Sequence, residues 1–175
     1  MLTAITGTPG TGKTALGKKL SESGRKVIFL NEFVEENGLL EEYDESADSY
    51  DVDTDRLDSA LEKYRQDAEM YYVEGHLSHF VESSGIIVMR CHPSVLQNRL
   101  ENRNYSEGKI RENVQAEILD VILCEAVSSG VPIYELDGTS QSIDELAESV
   151  TRIENNQGDY GPGKIDWTGS MEEWF

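Results

Sequence analysis

The residues whose types and spacing indicate chemistry most clearly lie near the start of the chain, where residues 7–14 read Gly-Thr-Pro-Gly-Thr-Gly-Lys-Thr. This is the complete GxxxxGK[ST] spacing of a phosphate-binding loop. Glycines let backbone N–H groups turn towards phosphate oxygens, the Lys13 ammonium can reach the β- and γ-phosphates, and the Thr14 hydroxyl can ligate Mg²⁺. The motif therefore predicts a nucleoside triphosphate site, and it leaves the reaction open.

A second candidate group follows the apolar run at 70–73, where Glu74, Gly75 and His76 come at the end of a predicted strand. In a parallel sheet, Glu74 would lie at the same edge as the phosphate loop. A carboxylate in that place can hold Mg²⁺, usually through water. His76 would then project near the phosphates, although a histidine beside a glycine is equally well explained by a structural or surface role.

Two arginines, Arg99 and Arg103, lie four residues apart and precede a turn-forming stretch at 104–108. Residues at this spacing share one face of a helix. Phosphoryl transfer needs positive charge that closes over the transferring group. We expect the pair to present two guanidinium groups at the mouth of a lid-like turn. The alternative is surface ion pairing with Glu101 or Glu107.

The hydrophobic pattern predicts the elements that must position these residues. Apolar runs alternate with stretches of helical spacing, as in α/β folds of the phosphate-loop NTPase type. We predict a central, five-stranded, mostly parallel sheet flanked by helices. The predicted strands are 2–6, 27–30, 70–73, 86–90 and 131–136. The predicted helices are 13–23, 32–36, 57–68, 94–103, 109–128 and 142–153.

Composition narrows the class of protein. The chain has 175 residues, enough for one α/β domain with small insertions. Asp and Glu number 34 against 15 Lys and Arg, a formal net charge of −19, so we expect little direct, non-specific binding of nucleic acid. The charge is typical of a salt-adapted, halophilic cytosol, or of an acidic face for a basic protein. The acid-rich stretch 41–55 is either a solvated loop or a substrate-binding excursion.

Other features exclude some classes of protein. Cys91 and Cys124 have no CxxC spacing, so neither a disulfide framework nor a zinc site is indicated. No apolar run approaches the roughly 18 residues of a membrane span, and no targeting segment is evident. We therefore expect a cytoplasmic protein with no membrane partner. Residues 156–175 form an acidic, aromatic tail, for which the alternatives are disorder, docking on the protein's own surface, or binding to a partner.

Taken together, the motifs resemble the adenylate kinase isoenzyme six family, in an archaeal-type member. These are small adenylate kinase-like NTPases linked to ribosome biogenesis. The resemblance covers about residues 1–155. The motifs that carry it are the phosphate loop, the tyrosine- and acid-rich stretch ending Asp53-Thr54-Asp55-Arg56, Glu74-Gly75-His76, Arg99-Leu-Glu-Asn-Arg103-Asn-Tyr105, and Asn113-Val-Gln115-Ala-Glu117.

The resemblance implies a site with an ATP half and an acceptor half. Residues expected to hold the ATP phosphates are Gly10, Gly12, Lys13, Thr14 and Ala15, with Arg103 contacting ATP from a short lid at about 102–112. Thr14 and Glu74 would be the Mg²⁺ ligands, and Glu74 with His76 would form a modified magnesium-site motif. An insertion at about 31–53 would bind the acceptor, AMP in an adenylate kinase. Because residues 32–36 contain no arginine, Arg56 and Arg90 are the acceptor-binding candidates.

We therefore expect an ATP- and Mg²⁺-dependent kinase that converts ATP and AMP to two ADP and also hydrolyses ATP. Lys13, Glu74, His76, Arg99 and Arg103 are its expected catalytic residues. The resemblance also implies binding of a basic small-subunit ribosomal protein on a pre-ribosomal particle, and late processing of small-subunit ribosomal RNA. The alternative is a nucleotide-regulated assembly factor, or chaperone, for that protein with little AMP kinase activity. A kinase for another small metabolite would differ only in the insertion.

Overall fold

The computed structural model describes residues 1–44 and 49–175, with the side chains of 42–44 and 49–51 left out. The strands in these ranges are β1 (Leu2–Thr6), β2 (Lys26–Phe29), β3 (Leu40–Asp44), β4 (Ser49–Val52), β5 (Tyr71–Glu74), β6 (Gly85–Arg90) and β7 (Ile133–Asp137). The helices are α1 (Lys13–Glu22), α2 (Leu30–Glu36), α3 (Thr54–Arg65), α4 (Pro93–Glu101), α5 (Glu107–Ile118), α6 (Val121–Val127), α7 (Ile143–Glu154) and α8 (Met171–Trp174). None of these helices has the length and apolar character needed to cross a bilayer.

The central sheet has the strand order β2-β5-β1-β6-β7. Every neighbouring pair in it is parallel, and Ile5 of β1 lies opposite Glu74 of β5 and Ile87 of β6. The carboxyl ends of the five strands consequently lie at one edge, which is where open α/β sheets bind ligands. The predicted α/β class, with five strands flanked by helices, is confirmed.

Helices cover both faces of this sheet. Successive strand residues point to opposite faces. On one face Ile5 packs with residues of α1 and α7, and on the other Val73 packs with α2 and α3 while Ala4 packs with α6. All six residues of β6 are buried. Because both faces of the sheet are covered by helices, the strands are consecutive apolar runs in the sequence.

The predicted single helix at 109–128 is wrong. The structure divides it into α5 and α6, with Asp120 between them in the left-handed conformation at φ 55°. The Asp120 carboxylate pairs with the buried Arg90 guanidinium. The apolar spacing did not predict this break because the residues on either side of it are both helical and apolar.

The acid-rich stretch does not form an irregular loop throughout. β3 and β4 pair in antiparallel fashion, with Leu40 opposite Val52 and Asp44 opposite Ser49. The part of the predicted insertion at residues 45–48 lies outside the described residues. The hairpin follows α2 and precedes α3, so it extends from the carboxyl edge of the sheet next to the phosphate loop.

The tail docks on the protein's own surface. The backbone N–H of Glu135, in β7, donates to the carbonyl of Tyr160 at 2.8 Å. Further along the chain, Trp167 and Trp174 pack against an apolar cluster built by α4 and α5. Of the alternatives considered from the sequence, docking is the one observed.

Candidate nucleotide-binding site

The phosphate loop joins β1 to α1 and depends on glycine for its shape. Gly7 has φ 140°, and a Cβ there would lie 2.3 Å from the Met89 carbonyl oxygen, which is a backbone atom of β6. Any side chain at this position would force the loop away from the sheet. Gly12, at φ 111°, ends the loop and begins α1, so the positive end of the helix dipole faces the region that the loop encloses.

Lys13 is held beneath this loop. It is 7% exposed, and its Nζ donates to the carbonyl of Thr8 at 3.1 Å. Burial lowers the pKa of Lys13 to about 8, against the opposing attraction of Glu74 and Glu117. A phosphate in the loop would supply the negative charge that the buried ammonium lacks, so the site is built for an anion.

Glu74 and Thr14 meet beside Lys13. The Thr14 hydroxyl donates to Glu74 Oε1 at 3.0 Å. Burial raises the pKa of Glu74, although the Thr14 hydrogen bond and Lys13 oppose this rise. A hydroxyl and a carboxylate are the hard oxygen donors that Mg²⁺ prefers, and Mg²⁺ takes its other ligands from water and substrate phosphates. The described residues contain no cluster of three or more metal-binding side chains, and this two-donor set fits Mg²⁺ carried by a nucleotide.

An open cavity of about 490 Å³ lies over the loop. It brings together most of the predicted site residues, together with three residues of the predicted lid and one just beyond it, none of which had an assigned role. The predicted residues that line it are Gly10, Gly12, Lys13, Thr14, Ala15, Glu74, His76 and Arg103, and the additional ones are Tyr105, Lys109, Glu112 and Asn113. Desolvation by the surrounding protein atoms disfavours the charged imidazolium and lowers the pKa of His76, and the positive charge of Lys13 adds to this effect. His76 is therefore mainly neutral at pH 7.

Arg99 lies behind the phosphate loop and does not face the cavity with Arg103. Its Nη1 donates to the Gly10 carbonyl at 3.3 Å, and its Nη2 donates to the Gly138 carbonyl at 2.8 Å. The expected shared helix face does not exist because α4 ends at Glu101, so that Arg103 lies in the following turn. The structure thus gives Arg99 contacts that support the loop backbone.

The two acceptor candidates are also kept apart from the cavity. Arg90 is 1% exposed and forms ion pairs with Glu117 at 2.8 Å, Glu135 at 2.6 Å and Asp120. A guanidinium enclosed by three carboxylates is not available to a substrate phosphate. Arg56 is exposed in the first turn of α3 and does not line the cavity.

A second, mostly apolar pocket of about 230 Å³ adjoins the first cavity. The two share Asn31 and His76 as lining residues. The remaining lining residues of the pocket are Leu30, Val34, Glu35, Leu40, Val52, Leu57 and Leu77. Sequence reasoning located this region within the 31–53 insertion but did not single out Asn31, which has no motif of its own.

Glu117 is a supporting residue to which the sequence reasoning assigned no role. Its Oε2 accepts a hydrogen bond from the Thr8 hydroxyl at 2.6 Å, and its Oε1 accepts from Arg90 Nε at 2.8 Å. The signal available was its spacing from Asn113, because residues four apart on α5 share a face. Asn113 lines the cavity, and Glu117 lies one turn further along, beneath the loop.

Comparison with known proteins agrees with this geometry. Residues 4–120 match the model of the AAA domain family. The chain is 42% identical to a protein of Archaeoglobus fulgidus named "Putative adenylate kinase", over 99% of this chain and 95% of that protein. It is 38% identical to a protein of the same name from Methanocaldococcus jannaschii, over 100% of this chain and 96% of that protein.

Solved structures share the fold at low sequence identity. Shikimate kinase from Acinetobacter baumannii in complex with shikimate has a TM-score of 0.62 at 14% identity, over 89% of this chain and 93% of that chain. Deoxyadenosine kinase from M. mycoides has a TM-score of 0.58 at 17% identity, over 89% of this chain and 99% of that chain. With a phosphate loop, a parallel sheet and full-length relatives above 30% identity, this chain belongs to the adenylate kinase-like family.

Proposed function

We propose that this protein transfers the γ-phosphoryl group of ATP to AMP, giving two ADP, and hydrolyses ATP when no acceptor is bound. The observation that carries the proposal is the junction of the two cavities at Asn31 and His76. A phosphate-binding cavity that opens into a smaller apolar pocket suits two nucleotides whose phosphates meet. Family membership supports a phosphotransferase that uses nucleotides.

The donor half would act mainly by positioning and charge. Lys13 would bind the β- and γ-phosphate oxygens, and Arg103 would approach ATP from the lid at 102–112. Thr14 and Glu74 would hold Mg²⁺, which when bound neutralises charge that develops on the transferring group. With both nucleotides in line, the chemistry needs no strong general base, because alignment supplies much of the rate enhancement. Neutral His76 can then orient the acceptor oxygen, or water in the hydrolytic reaction.

The acceptor half would recognise AMP by shape more than by charge. The apolar pocket is large enough for a heteroaromatic base, and Asn31 and Glu35 provide polar groups at its wall. Arg56, which is exposed and lines neither cavity, is the remaining candidate for the acceptor phosphate, since Arg90 is enclosed by carboxylates. This arrangement predicts weak affinity for AMP and a measurable rate of ATP hydrolysis.

Product analysis of the purified protein with Mg-ATP, with and without AMP, tests the proposal. Phosphoryl transfer requires two ADP formed for each AMP consumed. Free phosphate formed without AMP consumption would instead identify an ATPase and contradict the kinase. The same assays with shikimate or a deoxynucleoside as acceptor would detect a kinase for another small metabolite.

The charge distribution favours a second candidate, a nucleotide-regulated assembly factor for a basic small-subunit ribosomal protein. The chain carries a net charge of −19, and residues 31–56 contain eleven acidic residues and one basic residue. Such a surface attracts a basic partner on the acceptor side of the site. Pull-down with purified basic ribosomal proteins, at high salt and with or without ATP, tests this role. Equal, salt-sensitive capture of every basic protein would contradict a specific partner.

A further inference from the structure

Glu117 links the phosphate loop to the C-terminal tail. Besides hydrogen bonds from Thr8, Arg90 and the Cys91 backbone N–H, the last at 3.1 Å, its carboxylate accepts one from the Trp167 indole Nε1, which lies 3.3 Å from Oε1. Glu117 is only 3% exposed. A buried carboxylate needs all of its partners, because each lost hydrogen bond leaves charge without solvation. Trp167 therefore completes the hydrogen bonding of the group that holds Thr8.

The tail has two further attachments near this contact. The N–H groups of Gly163 and Lys164 donate to Glu135 Oε2 at 2.6 and 3.2 Å, while Glu135 Oε1 accepts from Arg90. Arg90 thus lies between two carboxylates, Glu117 and Glu135, and each of them also accepts a hydrogen bond directly from the tail. These contacts place the tail in one hydrogen-bonded network with the loop.

The tail also contacts the helix that carries lid residues. The Trp174 carbonyl accepts hydrogen bonds from the side chains of Arg111 and Gln115, at 3.1 and 2.7 Å. Both donors are on α5, the helix whose first turns contribute Lys109 and Asn113 to the cavity. One docked segment therefore contacts the support of the loop and the lid helix together.

Thr8 is the point at which this network acts on the nucleotide site. Its side chain is 2% exposed and points to Glu117, away from the cavity lining. Its backbone carbonyl accepts from Lys13 Nζ and from the Thr11 hydroxyl, at 3.1 and 2.9 Å. A change in the Thr8 position consequently moves the carbonyl that places Lys13.

We propose that Trp167 is a positioning residue for the phosphate loop, acting through Glu117 and Thr8, and that docking of the tail is thereby coupled to ATP binding. The proposal rests on the proposed function only in taking ATP as the ligand of the loop. Coupling is reciprocal, so a tail that stabilises the binding geometry is itself held more firmly when ATP is bound.

A double-mutant cycle tests the coupling. The dissociation constant of Mg-ATP is measured by calorimetry for the unmodified protein, Thr8→Val, Trp167→Phe and the double variant. Each single variant removes one hydrogen-bond donor while keeping most of the side-chain volume, and we expect each to weaken ATP binding by about threefold to tenfold. The double variant should bind Mg-ATP no more weakly than the single variant that has the lower affinity. Multiplication of the two effects, or no effect of Trp167→Phe, would overturn the proposal.

Two matched controls separate positioning from general loss of packing. Thr8→Ser keeps the hydroxyl and should restore ATP affinity to within about twofold. Trp174→Phe makes the same change in the same tail, and retains the carbonyl that α5 binds. The fold-change in ATP affinity caused by Trp174→Phe should multiply with that caused by Thr8→Val, because Trp174 does not act through Glu117. Equal coupling of Trp174 and Trp167 to Thr8 would assign both to packing alone and contradict the proposal.

Fluorescence gives a readout that a purely structural role would not change. The chain has two tryptophans, so Trp174→Phe leaves Trp167 as the reporter beside Glu117. Addition of Mg-ATP should shift its emission, and Thr8→Val in the same background should abolish the shift. An unchanged spectrum while calorimetry detects ATP binding would refute the coupling and leave the proposed function intact. No ATP binding in the unmodified protein would instead refute the proposed function.

Discussion

The proposed donor and acceptor halves of this site differ in how the protein prepares them. In the donor half, Lys13, Thr14 and Glu74 each have a hydrogen-bond partner within the protein. In the acceptor half, the pocket wall is mainly apolar and includes Glu35. The donor half is therefore organised to bind an anion, whereas the proposed acceptor half would select chiefly by shape.

The difference predicts how the binding of each nucleotide should respond to solution conditions. Fixed donors pay little reorganisation when a phosphate arrives. An acceptor nucleotide must instead bring its negative charge into a region where residues 31–56 hold eleven acids and one base. We expect acceptor binding to depend on the charge of this acidic region, and donor binding to depend on the attraction between fixed positive groups and the ATP phosphates.

The largest effect should come from removing the donor-site ammonium. Lys13→Ala should lower both phosphoryl transfer and ATP hydrolysis by about 100- to 1000-fold, the range for loss of one preorganised charge donor. Initial rates at saturating Mg-ATP measure this. Lys26→Ala, at an exposed lysine on β2 that pairs with Glu69, is the matched control. Near-normal turnover by Lys13→Ala would rule out the phosphate-loop mechanism.

Removing the charge of Glu74 should have the next largest effect. Glu74→Gln keeps the shape and an acceptor for Thr14, so we expect kcat to fall by about 10- to 100-fold, with a higher requirement for Mg²⁺. Titration of activity against Mg²⁺ at fixed ATP measures both changes. Glu74→Asp retains the charge, and its kcat should lie between the kcat of the unmodified protein and that of Glu74→Gln. A Glu74→Gln variant with normal magnesium dependence would remove Glu74 from the metal site.

Added salt should change the KM values for AMP and ATP in opposite directions. Raising the ionic strength from 0.1 to 1 M shortens the screening length from about 10 to 3 Å. Screening weakens repulsion between AMP and the acidic insertion, so KM for AMP should fall by about twofold to fivefold, while KM for ATP should rise. Steady-state kinetics in a KCl series measures both constants in one protein. Parallel changes in the two constants would contradict the electrostatic contrast.

The smallest expected effect concerns one carboxylate at the acceptor pocket. Glu35→Gln removes a negative charge from its wall and should lower KM for AMP by about twofold to threefold at low salt. Glu36→Gln changes the neighbouring exposed residue of α2, which does not line the pocket, and serves as the control. The same decrease in both variants would indicate an effect of net charge and argue against a local role for Glu35.

Much of the fold could be predicted because the strands are buried on both faces and therefore consist of apolar runs. The break at Asp120 could not, since it depends on an ion pair with Arg90, thirty residues earlier in the chain. The lining of the phosphate-loop cavity was largely predictable for a different reason. Its residues belong to a local motif, and Glu74 and His76 directly follow a strand.

The arginines show where such reasoning stops. The spacing of Arg99 and Arg103 predicts a shared helix face, but α4 ends between them and their guanidinium groups contact different regions. Arg90 ends an interior strand and is neutralised by carboxylates from α5, the following turn and β7. Sequence distance alone could not predict these partners, because they come from elements that only the packing brings together.

The sequence by itself determined the phosphate loop and the parallel α/β class, since local glycine requirements and hydrophobic burial are encoded in neighbouring residues. Only the tertiary structure decided that the apolar pocket meets the phosphate-loop cavity at Asn31 and His76, and that Trp167 of the tail reaches the loop through Glu117. These contacts join residues far apart in the chain. Their geometry depends on how the elements pack, which no single segment specifies.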